Sequence, residues 1–168
     1  DAASRSPILY LLRHPQVRMG LAHSFVSHAL SEVKPIADRG AGINLGGIVE
    51  PADPEALFAA PQHPCSRALL SAIPVPKPQA KRSRIVLQGE MPSALDPPTG
   101  CRFHTRCPYA IPRCRTEVPQ LATDATAHAT ACHRVAELPE ADAIVHADGD
   151  FSPELEKLGA AIGRTEGA

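Results

Sequence analysis

Apolar residues come in short bursts along this chain, broken repeatedly by proline and glycine. In residues 7–18, Ile8, Leu9, Leu11, Leu12 and Val17 fall at helical spacing, and Pro15 kinks that helix or ends its first half. Residues 21–26, Leu-Ala-His-Ser-Phe-Val, predict a short buried strand. The polar pair Ser27-His28 follows, and then Leu30, Val33, Ile36 and Ala37 return at helical spacing despite Pro35. Strand, polar pair and helix in that order make an α/β arrangement. Two further bursts, 41–45 and 48–49, flank Gly46-Gly47 and predict a hairpin with a glycine turn.

Asp53 is a good N-cap with Pro54 at the first helical position, which opens a helix through Glu55, Ala56, Leu57 and Phe58 that Pro61 stops. A second helix is expected over 64–73, burying Leu69 and Leu70 against Leu57 and Phe58 of the first. Residues 74–84 turn proline-rich and basic, the composition of an extended linker. A strand over 84–90 and a turn-rich loop over 92–100 follow. Beyond residue 136 the chain is acidic and alanine-rich, with one helix expected from Ser152 and Pro153 through Leu155, Leu158 and Ile162.

Composition narrows the function classes. A chain of 168 residues has room for one ordinary domain or two small ones. Its net charge of -1 gives no general attraction to nucleic acid or an anionic membrane. Aromatics make up 4% and prolines number 18, which predicts short elements between turns around a modest core. No apolar run approaches the roughly 20 residues of a membrane-spanning helix, and residues 1–7 lack a secretory layout, so a soluble cytoplasmic protein is expected. The chain begins at Asp1 and has only Met19 and Met91, which suggests a fragment or processed product.

Five cysteines without an export signal point to ligation rather than disulfides. Cys101, Cys107, Cys114 and Cys132 follow the spacing C-x5-C-x6-C-x17-C, in a segment rich in proline and arginine that cannot build its own core. A bound ion or cluster would replace that core and hold the loop folded. The spacing matches neither the usual zinc C-x2-4-C nor the ferredoxin C-x2-C, so it selects no metal. His104, His128 and His133 leave a mixed Cys/His zinc site open, although each taken singly is expected to be an exposed loop residue. Cys65, in a helix, is expected to be a small buried apolar residue. Arg102, Arg106, Arg113 and Arg115 interleave with Phe103 and Tyr109, which as an alternative could be a nucleic-acid-binding knuckle; a solvated basic loop is the ordinary explanation and no nucleic-acid partner is expected.

These residues resemble a known family. DPEALFAAPQHPCSRALLSAIPVP, residues 53–76, resembles the helical extension after the nucleotide-binding domain of oligopeptide and dipeptide ABC importer ATPases, with Cys65 where the family usually has Tyr. EMPSALDPPTG, then GCRFHTRCPYAIPRC and a later ACH, are similar to the Cys-rich tail of that family. Upstream, IADRGAGINLGGIVE resembles the family's I-A-D-R-x-x-V-M-x-x-G-x-I-V-E, with Gly40 and Gly42 in place of apolar residues and Gly47 in place of Arg or Lys. Such glycines are expected to weaken a strand.

The resemblance implies an α/β fold: a truncated C-terminal part of an ABC nucleotide-binding domain followed by a small irregular Cys-rich extension. The implied division is a remnant of the ATPase core over 1–52, a helical extension over 53–76, the Cys-rich region over 77–135 and a tail over 136–168. Asp1 would end the D-loop, and His28 would be the switch histidine that reaches the γ-phosphate. The phosphate-cradling G-x-x-x-x-G-K-[ST] is not in this sequence, nor are the ABC signature and the Walker B acidic pair, so ATP hydrolysis by this chain alone is not expected. Intact relatives would use ATP and magnesium, pair with a second ATP-binding subunit and with permease subunits, and sit at the inner face of the cell membrane. Some carry an iron–sulfur cluster on the tail cysteines, which makes a four-iron cluster at Cys101, Cys107, Cys114 and Cys132 the first choice. A stand-alone zinc module and a non-functional remnant are the alternatives.

Overall fold

The computed structural model describes residues 11, 15–16, 18–27, 34–73 and 85–140. Asp1, His28, the linker over 74–84 and the helix expected near residue 155 lie outside them. The chain divides into two compact units, one made of Asp1–Ile36 with Ala147–Ala168 and the other of Ala37–His146. In the first unit the strand expected over 21–26 does not form: these residues are irregular, and Val26 is 93% exposed. A strand needs a partner for its backbone groups, and among the described residues none pairs with this stretch. Of the helix expected over 29–37, a single 3-10 turn at Lys34–Ile36 is described.

The second unit is built on the predicted hairpin. Strand β1 (Gly40–Asn44) pairs antiparallel with β2 (Gly47–Ala52). The turn falls one residue earlier than the glycine pair suggested, with Leu45 and Gly46 both at positive φ. The register then slips: Ile43 faces Ile48 while Gly42 faces Glu50, leaving Val49 as a bulged residue without a partner on β1. A bulge re-aims side chains, and here the consecutive residues Val49 and Glu50 are both buried.

Helix α1 (Pro54–Ala59) starts at Asp53, whose carboxylate accepts the Glu55 N–H at 2.8 Å. Helix α2 (Pro64–Ser71) starts at His63, whose Nδ1 accepts the Cys65 N–H at 3.0 Å. Histidine is an uncommon N-cap, but a neutral ring nitrogen can accept as a carboxylate does. Both helices pack on the hairpin, α1 against both strands and α2 against β1. The glycines of β1 make this approach possible: a Cβ on Gly40 would lie 2.8 Å from Leu57 Cδ2, and one on Gly42 would lie 2.8 Å from Ser66 Oγ. Their cost in strand propensity is offset by helix contact, so β1 forms where glycine was expected to weaken it. Leu57, Phe58 and Leu70 are buried as expected, each contributing on the order of 1.5–3 kcal/mol. Leu69 faces outward, 49% exposed, although its neighbour Leu70 is buried.

Residues 85–98 are irregular, so the strand expected over 84–90 is absent. The Cys-rich segment is more ordered than its composition suggested. It forms turns over 101–106, a short helix α3 (Pro112–Thr116), and a two-stranded ribbon of β3 (Ala122–Thr123) with β4 (Ala129–Thr130). A final 3-10 turn lies at Val135–Glu137.

Candidate metal centre

The carboxylate of Glu50 organises the region. It is 0% exposed, and its oxygens accept hydrogen bonds from the Gln62 N–H at 2.5 Å and the His63 N–H at 2.9 Å. His128 Nε2 lies 2.7 Å from Oε1. One carboxylate thus ties β2 to the start of α2 and to the β3–β4 ribbon. His128, expected to be exposed, is turned inward by this bond and buried.

The bulge does a second job. Val49, lacking a partner on β1, accepts the Ala131 N–H on its carbonyl at 2.8 Å. The Ala131 carbonyl is in turn hydrogen-bonded by His63, which burial holds at a pKa of about 4, against the raising effect of that bond and with a further lowering from Arg67. A neutral His63 that accepts at Nδ1 must donate from Nε2, which suits both partners. Ala131 is therefore held on both sides, and Cys132 follows it directly.

The first three cysteines are placed by local turns. Gly100, at φ +70°, lets the Cys101 N–H reach the Cys114 carbonyl at 2.8 Å. His104 N–H and Nδ1 both lie 2.9 Å from the Cys101 carbonyl. Pro112 opens α3, which carries Cys114 inward. Phe103 is buried with its ring tilted against His63, centroids 5.7 Å apart. That takes one of the two rings, Phe103, away from the knuckle alternative. Arg102 reaches back to the hairpin, donating to the Leu45 carbonyl.

Cys101, Cys107, Cys114 and Cys132 all line one partly open cleft, together with His63, His104, His133 and Tyr109. None of the cysteines is disulfide-bonded. Among the described residues no three His, Cys, Asp or Glu side chains are grouped in the way a single bound ion requires. Burial is the largest influence on Cys101, Cys107 and Cys132 and raises all three, Cys107 to about 11. Opposing it, backbone N–H groups point at the sulfurs: Phe103 and His104 at Cys101, Tyr109 at Cys107, and Arg134 at Cys132, the last at 3.4 Å. Donors of this kind stabilise thiolate, so a metal that displaces the protons finds its ligands already supported. The donor set and its N–H groups fit a thiolate-bound centre. Cys65, buried in α2 and pushed up to about 11 chiefly by burial, behaves as the apolar residue it was expected to be.

Residues 49–114 match the family model for the C-terminal region of oligopeptide/dipeptide transporters. The match begins in β2 and ends at the third cysteine, so it takes in the bulge, both helices and most of the cleft. Over these residues the chain matches the oligopeptide/dipeptide transporter family.

Among its relatives, a Brucella ovis protein named for peptide import and ATP binding is 48% identical over 134 residues, which is 80% of this chain and 42% of that protein. A Sinorhizobium fredii protein named for peptide ABC transport and ATP binding is 47% identical over 133 residues, 79% of this chain and 38% of that protein. The oligopeptide transport ATP-binding protein AppF of Bacillus subtilis is 41% identical over 135 residues, 79% of this chain and 41% of that protein. The chain thus spans about two fifths of the length of the relatives it matches. Among the described residues no helix is long and apolar enough to cross a membrane.

The signals that sequence reasoning missed are Glu50 and His128. An Ile-Val-Glu run reads as a strand end, and only the bulge, which has no sequence signature here, turns its carboxylate inward.

Proposed function

We propose that this chain is the C-terminal part of the ATP-binding subunit of an ABC peptide importer, and that Cys101, Cys107, Cys114 and Cys132 hold a four-iron cluster there. In this reading residues 1–52 end the nucleotide-binding core, 53–76 extend it, 77–135 form the cluster region and 136–168 the tail. Asp1 belongs to the D-loop and His28 is the switch histidine, with ATP and magnesium held by the rest of the subunit. The partners are permease subunits and a second ATP-binding subunit, at the cytoplasmic face of the membrane. The relatives' names support the transport role.

The observation that supports ligation is that all four thiols line one cleft. A zinc ion draws four donors to one centre at about 2.3 Å. A four-iron cluster offers a separate metal to each thiolate and suits a wider cleft. Its chemistry here is structural, holding together a segment whose own apolar core is small. His104 and His133 on the same cleft favour a second reading, a mixed Cys/His zinc site.

Anaerobic purification followed by a visible spectrum and metal analysis tests both. A brown protein with about four irons per chain supports the cluster. A colourless protein with one zinc replaces it with the second reading, and a chain with neither metal contradicts both.

A further inference from the structure

Seventeen residues separate Cys132 from Cys114, so local turns cannot bring the fourth cysteine to the other three. Two arginines hold the chain near and beyond it. Arg134 donates its backbone N–H to Cys132 Sγ at 3.4 Å, and its guanidinium crosses to the Tyr109 carbonyl at 3.2 Å and to Glu137 Oε2 at 2.8 Å. Tyr109 is the residue whose own N–H supports Cys107. Arg134 thus ties the fourth cysteine's segment to the second cysteine's turn, and it lines the cleft itself. Arg67, buried on α2, donates from Nε to the Pro61 carbonyl at 2.9 Å and from NH1 to the Pro139 carbonyl at 2.6 Å, strapping the chain beyond Cys132 to the helix.

We propose that Arg134 is a positioning residue of the cysteine site, which fixes the Cys132 segment in place and sets positive charge beside a centre made anionic by its thiolates. This rests on the reading of the four cysteines as ligands. Both bonds made by the Arg67 side chain go to uncharged carbonyls, whereas Arg134 shares its charge with the exposed carboxylate of Glu137. Two functions are therefore separable at position 134: the forked hydrogen bonds, which only arginine makes, and the charge, which lysine also carries.

The test is reconstitution of the whole chain with ferrous iron and sulfide under argon, comparing wild type with Arg134→Gln, Arg134→Lys and Glu137→Gln. The readouts are the rate of iron loss to a chelator and the reduction midpoint. Arg134→Gln should release iron about 10-fold faster or more, and its midpoint should move to more negative potential, because a lost cation no longer favours the extra electron. Arg134→Lys should release iron faster while its midpoint stays near that of wild type. Glu137→Gln should move the midpoint to more positive potential. If Arg134→Gln fails to fold, the lysine variant decides: faster iron loss at an unchanged midpoint supports the inference. Wild-type values of both quantities in the Gln variant, or in the Lys variant where Gln does not fold, overturn it while leaving the ligand reading intact. A wild-type chain that takes up no iron overturns the ligand reading and the inference with it.

Discussion

His128 Nε2 sits 2.7 Å from Glu50 Oε1, joining residues 78 apart in sequence inside a region closed to solvent. The same carboxylate accepts the N–H groups of Gln62 and His63, so the hairpin, the start of α2 and the ribbon before Cys132 all depend on one side chain. Replacing it with the isosteric amide puts an NH2 against at least one of those donors. We expect Glu50→Gln to lower stability by about 1–3 kcal/mol, read as a shift in the urea midpoint. An unchanged midpoint would show that the carboxylate is not the tie described.

Leu45 occupies the first turn position at φ 45° and Gly46 the second at φ 75°. A leucine there costs about 1–2 kcal/mol, whereas Asn-Gly suits a turn with both central residues at positive φ. Leu45→Asn should therefore raise stability by about 1 kcal/mol. Because Arg102 bonds the Leu45 carbonyl and not its side chain, that strap should survive. Thermal unfolding measures the gain.

Gly100 is needed twice over, for its φ of +70° and for space. A Cβ there would lie 2.5 Å from the Cys114 carbonyl oxygen, the acceptor of the Cys101 N–H. Gly100→Ala should separate Cys101 from Cys114 and reduce metal content sharply while leaving the hairpin and both helices folded. Metal analysis beside far-UV circular dichroism distinguishes this local loss from general unfolding.

His63 gives a pH dependence of known sign. Its folded pKa is lowered from 6.5 to about 4, mainly by burial, so below 6.5 the unfolded chain takes up the proton more readily. The stabilisation is fully present above pH 6.5 and is lost as pH falls through the window to 4, on the order of 3 kcal/mol in all. His63→Asn keeps an N-cap acceptor for the Cys65 N–H and removes this titration. Urea midpoints at pH 7 and pH 4.5 should therefore fall farther for wild type than for the variant, other carboxylates being common to both.

What could be read in the sequence was set by local chemistry. Asp53-Pro54 marks a helix start, Gly46-Gly47 marks the turn, and the spacing of Cys101, Cys107 and Cys114 marks a turn-rich segment; each acts through its near neighbours. The burial of Glu50 and His128 depends on a one-residue slip in register, and a slip leaves no trace in apolar alternation. The strand expected over 21–26 had the right residues, but strand formation requires a partner, which composition cannot supply. Glycine in β1 was misjudged for a related reason: its cost is intrinsic, while its benefit is the closeness of Leu57 and Ser66 across the fold.

The claim on which the account stands is that four of the five cysteines form one site and the fifth does not. Iron and zinc per chain, measured for serine replacements of Cys101, Cys107, Cys114, Cys132 and Cys65 purified side by side without oxygen, test it most directly. The account predicts that each of the first four loses most of its metal while Cys65→Ser keeps the wild-type content. Retention of metal by any of the four, or its loss from Cys65→Ser to the same degree, would contradict it.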